Sequence, residues 1–220
     1  VFIGHFAVAF GAKKLSPKTS LGTLVLAAEW VDLIFPLLLL AGLEHAGVRA
    51  GANPFLALDF SDYPITHSLV AGIGWSLLIG GIALRASRDV RAALVVGGAV
   101  LSHWVLDFVS HTPDMPLWPG GPMVGLGLWR NVAATVTIEG LMFAAGLWLY
   151  FRATRARDGI GRWGAFALAA FLVAVYAFNL TSPPPPSVKA VAVVGLAGWL
   201  LPLWAWWVDR HREPAAPRAP

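Results

Sequence analysis

At 220 residues, 57% of them hydrophobic and only 13% charged, the chain has a mean hydropathy of +0.68. That excludes an ordinary soluble domain and points to a polytopic membrane protein, with the lipid bilayer as its first partner. The net charge of +4 would suit nucleic acid, but the basic residues fall in short loops between apolar runs, so no nucleic-acid partner is expected.

The first apolar stretch, residues 2–12 of "VFIGHFAVAFGAKKL", is too short to cross a bilayer and predicts a half-helix or re-entrant segment buried in protein. Its positive charges follow the apolar residues, and it has no small-residue cleavage site, so it does not read as a secretory signal. Six further stretches, near 20–43, 64–85, 90–111, 131–151, 160–180 and 188–208, have the roughly 20 residues that a span needs. The expected fold is all-α, a polytopic membrane helix bundle of about six transmembrane helices plus a short N-terminal half-helix. Residues 1–208 form one membrane domain, and 209–220, ending in "EPAAPRAP", predict a disordered tail. The proline run "TSPPPPS" (181–187) predicts an extended connector.

The loops give an orientation. One alternating set, with the tail, holds thirteen Lys and Arg residues, including Lys13, Lys14, Lys18, Arg85, Arg88 and Arg91; the other holds Arg49, Arg130 and Lys189. That asymmetry predicts a multi-pass membrane protein with the C-terminus in the cytoplasm.

Ionisable groups within or bordering the spans are few: His5, Glu29, Asp32, His67, His103, Asp107, His111 and Glu139. Such groups are costly in hydrocarbon and usually face a bundle interior or a watery cavity. In "LSHWVLDFVSHTPD", His103, Asp107 and His111 stand at i, i+4 and i+8, close to one helix face. Glu29 and Asp32 stand three apart on another helix, and His67 follows Pro64 at a helix start, flanked by Thr66 and Ser68. Counting from the nearest basic loop at 1.5 Å per residue puts His103 about 18 Å, Asp32 about 21 Å and His67 about 27 Å up their helices. His5, roughly 12 Å from Lys13, lies lower unless its short helix is raised or tilted.

Four segments can thus converge on one buried site. Cysteine is absent, so a metal there must be held by imidazole and carboxylate. Those ligands suit a divalent metal, with Zn²⁺ the first choice and Mn²⁺ or Fe²⁺ the alternatives. His5, Asp32, His67, His103, Asp107 and His111 are the candidate ligands, and Glu29 and Glu139 the candidate catalytic bases. Two other readings use the same residues: interhelical hydrogen-bonding glue in a scaffold protein, or the proton or ion path of a transporter. No HExxH and no GxSxG is present, which removes the usual signs of a zinc protease or serine hydrolase.

The stretches "IGHFAVAF" (3–10), "EWVDLI" (29–34), "DYPITHSLV" (62–70) and "LSHWVLDFVSHTPDMPLWPGG" (101–121) resemble, in that order, the motifs of the YdjM-like family over roughly the first 130 residues. That family is described as inner-membrane-associated, LexA-binding candidate metal-dependent hydrolases. The resemblance implies His5, Asp32, His67, His103 and Asp107 as the polar site. Val31 and Ile34 depart from its pattern, which has Pro before the Asp and a second acid two residues after it, and Glu29 is the acid that could substitute. "YPITHS" likewise lacks the family's upstream His and Arg. The order of His and Asp is also similar to that of zinc-dependent phospholipase C and related zinc nucleases. Together these resemblances imply a membrane-embedded metal-dependent hydrolase acting on a phospholipid-like phosphoester or another amphiphilic substrate.

Overall fold

The computed structural model describes residues 1–49, 51 and 53–215. The described residues form ten α-helices: α1 (Ile3–Leu15), α2 (Leu21–Ala28), α3 (Trp30–Ala41), α4 (Pro64–His67), α5 (Leu69–Ser87), α6 (Val90–Ser110), α7 (Val132–Ala153), α8 (Gly159–Thr181), α9 (Val188–Gly195) and α10 (Leu200–Arg210). Among the described residues, α5, α6, α7, α8 and the continuous run Val188–Arg210 are each long and apolar enough to cross a membrane. The pair α2–α3, bent by 54°, makes a sixth span when taken as one. The expected all-α membrane bundle with a short N-terminal half-helix is what the chain forms.

Local chemistry sets the helix boundaries. Ser20, Ser68, Asp89, Asn131, Asp158 and Ser187 each accept a backbone N–H in the first turn of the helix that follows. These side chains satisfy donors that a helix start leaves unpaired. Large apolar residues such as Leu77, Leu94, Leu141 and Phe178 cover the outside of the bundle. In water this surface would be unstable, but in lipid it costs nothing.

The half-helix α1 is the exception, because it is enclosed. It packs against α2, α6 and α7, burying Phe6, Ala9 and Phe10. Its approach to α7 requires glycine: a Cβ on Gly146 would stand 2.4 Å from the Ala7 carbonyl oxygen. Small residues at such crossings let backbones meet where hydrophobic driving force between helices is lacking.

Short antiparallel pairs close the ends of the bundle. At one end lie β1 (His45–Val48) with β2 (Leu58–Asp62) and β3 (Met115–Pro116) with β4 (Met123–Val124). At the other, β5 (Thr154–Ala156) pairs with β6 (Arg212–Pro214). That last pair corrects the expected disordered tail, which the sequence placed from residue 209 onward. Asp209 is buried, with Oδ2 2.6 Å from Lys13 Nζ and 3.0 Å from the Leu21 nitrogen, while the Tyr150 hydroxyl donates to Oδ1. Arg212 donates to the Thr154 hydroxyl and the Gly161 carbonyl. A buried carboxylate held by α1, α2 and α7 keeps the chain ordered past the last span; the rest of the predicted tail, 216–220, lies outside the described residues.

Lys13→Met would leave Asp209 buried without its cation and is expected to lower stability by about 3–5 kcal/mol. Lys14→Met, on the exposed side of the same helix, should leave the thermal midpoint in detergent unchanged; equal midpoints for the two variants would refute the assignment.

Candidate metal centre

Four breaks or ends of helices deliver the polar residues. His5 stands in the first turn of α1, and His103 and Asp107 one turn apart on α6. Asp32 stands in the first turn of α3, just past the bend at Glu29, and His67 ends the single turn α4 before Ser68 starts α5. The ligand atoms of His5, His103 and Asp107 all lie within 4.8 Å of one another, and so do those of Asp32, His67 and His103. His103 belongs to both groups, so the two share one centre.

His103 Nε2 is 3.2 Å from Asp107 Oδ2 and 3.5 Å from Asp32 Oδ1. His67 Nε2 is 3.2 Å from Asp32 Oδ1 and 3.8 Å from Asp107 Oδ2, and His5 Nε2 is 3.2 Å from Asp107 Oδ1. The His5 and His103 rings stack with centroids 3.6 Å apart, too close for both to carry charge without strong repulsion. His5, His67, His103 and Asp107 are buried, whereas the Asp32 side chain is 44% exposed. Asp32 is therefore the edge of the centre that a second molecule can reach.

The proton positions sharpen this. His103 Nδ1 lies 2.7 Å from the carbonyl oxygen of Ala28, which can only accept, so Nδ1 carries a proton. In the neutral ring Nε2 is then a bare lone pair, facing two carboxylate oxygens and lacking any hydrogen-bond partner. Lone pairs and carboxylates repel; a cation between them removes the conflict and neutralises the buried charge. The donor set of three imidazoles and two carboxylates fits Zn²⁺, Mn²⁺ or Fe²⁺.

The family of membrane proteins with these motifs can now be tested directly. The model of the YdjM inner membrane protein family matches residues 2–186. The chain belongs to that family. The match contains all five clustered residues and runs from α1 through α8, well beyond the first 130 residues that carry the motifs. Neither a curated protein nor a solved structure matches this YdjM family member.

Of the six residues considered as ligands, the structure brings five together and leaves His111 apart. His111 caps the end of α6, one turn beyond Asp107, and its N–H still bonds to the Asp107 carbonyl. It packs against Trp129 and Phe60, with Nδ1 3.0 Å from Asp114 Oδ1. Glu29 is buried at the bend between α2 and α3, and its Oε1 has no partner. Glu139 accepts from the backbone nitrogens of Phe2 and Gly4 through Oε2, holding the start of α1 and with it His5. The Val1 nitrogen lies 2.9 Å from Asp107 Oδ1.

Two contributors carry no signal in spacing or motif: the Ala28 carbonyl and Glu44, a fully buried acid in the loop after α3. Of the two hydroxyls beside His67, Thr66 does touch the ring, 2.6 Å from Nδ1, while Ser68 instead accepts from the Ala71 nitrogen at the start of α5.

Glu139→Ala removes the acceptor from two backbone donors at the start of α1. Loss of about 2–3 kcal/mol is expected, with faster hydrogen exchange at the Phe2 and Gly4 amides; unchanged exchange there would show that Glu139 does not hold the helix.

Proposed function

We propose that this YdjM family member is a membrane-embedded metal-dependent hydrolase, with His5, Asp32, His67, His103 and Asp107 holding one or two divalent ions, zinc first among them. The observation that carries the reading is the buried His103 Nε2, without a hydrogen-bond partner and facing Asp107 and Asp32. When bound, such an ion supplies Lewis acidity and a water activated near neutral pH. The protein's own part is to hold the ligands, keep bulk water from four of them, and leave Asp32 at the open edge. Glu29, three residues before Asp32 and with one carboxylate oxygen unpartnered, is our choice of general base.

An amphiphilic substrate, such as a phospholipid-like phosphoester, suits the surroundings. An apolar groove of about 670 Å³ runs between α1 and α6, lined by Val8, Ala12, Leu94, Val95 and Gly98 with Arg91 among its residues. Val8 and Ala99, also in its lining, lie one turn from His5 and His103, so the groove offers room for an acyl chain beside the centre. The basic loops favour an orientation with the Lys/Arg-rich end in the cytoplasm.

One observation favours a second reading. The half-helix α1 and the bent pair α2–α3 both break at the polar centre, and helices interrupted at a buried site are characteristic of ion-coupled transporters. Metal analysis separates the two. Mildly purified wild type should carry one or two Zn, Mn or Fe ions per chain, and His103→Ala and Asp107→Ala should carry none. Wild type without stoichiometric metal would end the hydrolase reading, and pH-dependent flux into liposomes without ester turnover would establish the transporter.

A further inference from the structure

Glu44 lies where the α3 helix turns back on itself. Gly42 adopts φ +68°, and the Leu43 nitrogen bonds to the Leu38 carbonyl, a helix ending that glycine favours. The turn delivers Glu44 to the start of α4, where it is 1% exposed. Its Oε1 accepts from the nitrogens of Ile65 and Thr66, both at 2.8 Å. Its Oε2 is 2.7 Å from the Thr66 hydroxyl, which in turn is 2.6 Å from His67 Nδ1.

The direction of this chain of hydrogen bonds follows from a count of protons. A carboxylate only accepts, so the single Thr66 hydroxyl proton goes to Glu44, the Tyr63 carbonyl at 3.4 Å being a weaker acceptor. The Thr66 oxygen then receives its bond from His67, whose proton sits on Nδ1. In the neutral ring that leaves His67 Nε2 as a lone pair, 3.2 Å from Asp32 Oδ1 and 3.8 Å from Asp107 Oδ2. His103 reaches the same state through the Ala28 carbonyl.

We propose that Glu44, acting through Thr66, is a positioning residue that fixes the tautomer of His67 and so prepares the centre for a metal cation. The proposal rests on the metal reading for its consequence but not for its geometry. Helix α3 brackets His67: Asp32 near its start meets Nε2, and Glu44 beyond its end governs Nδ1. An anchoring role alone would need only Oε1 and the two backbone bonds. The Oε2–Thr66–His67 arm adds nothing to that anchor, and its effect is to choose which ring nitrogen is free.

Glu44→Gln tests this, because the amide oxygen still accepts from Ile65 and Thr66 while the amide nitrogen faces the Thr66 hydroxyl as a donor. The Thr66 hydroxyl would then donate its hydrogen bond to an unprotonated His67 Nδ1, and the ring proton would sit on Nε2. Ring-nitrogen NMR of the metal-free full chain should show His67 protonated at Nδ1 in wild type and at Nε2 in Glu44→Gln. Zinc affinity, measured by chelator competition, should fall by about 10–100-fold in Glu44→Gln and Thr66→Val. Thr66→Ser keeps the hydroxyl and should stay within about threefold of wild type. A wild-type His67 protonated at Nε2, or zinc binding unchanged in Glu44→Gln and Thr66→Val, would overturn the proposal. If wild type itself bound none of zinc, manganese and ferrous iron, the metal reading would fall, and the tautomers of wild type and Glu44→Gln would still decide the role of Glu44.

Discussion

Two carboxylates and three imidazoles meet inside a bundle whose outside is hydrocarbon-like, and the surrounding structure is arranged around the cost of that meeting. Asp107 is 2% exposed and lies within 3.8 Å of three imidazole nitrogens and within 2.9 Å of the Val1 nitrogen. An unpaired charge in such a place is strongly unfavourable, and only close, complementary groups make it tolerable. With His103 neutral, its Nε2 presents a lone pair to both carboxylates, and a cation bound between them would supply the missing positive charge.

The discontinuous helices follow from the same requirement. A straight span presents side chains but keeps its carbonyls engaged along the ladder. The bend at Glu29 ends α2 at Ala28, whose carbonyl accepts the hydrogen bond from His103 Nδ1, and starts α3 so that Asp32 falls in a first turn, where a carboxylate is favoured by the helix dipole. The single turn α4 and the start of α1 likewise bring His67 and His5 to the centre from helix ends. Irregular backbone at membrane depth survives only when protein encloses it, and α1 is enclosed by α2, α6 and α7.

Because α1 is short, it needs holding at both ends. Glu139 takes the first-turn amides beside His5, and Asp209 takes Lys13 in the last turn. The second contact reaches from α10 across the bundle, so the end of the last span helps to hold α1. His5, expected by helical rise to sit below the other ligands, meets Asp107 and stacks on His103.

Much of this was legible in the sequence, since hydropathy, helical spacing and loop charge are local properties. They determined the all-α membrane bundle, the half-helix and the spans to within a few residues, and they named six candidate ligands, five of which stand together in the structure. What they could not determine was anything set by contacts between distant segments. His111 stands apart because its ring is held by Trp129, Phe60 and Asp114. The order of residues 209–215 depends on Lys13, nearly two hundred residues away. Glu44 sits in a loop with no motif, and the Ala28 carbonyl has no side chain to read. Composition and spacing show which groups are able to bind a metal; only the tertiary structure decided that His103 turns Nε2 to the carboxylates, because that depends on the Ala28 carbonyl its Nδ1 meets from another helix.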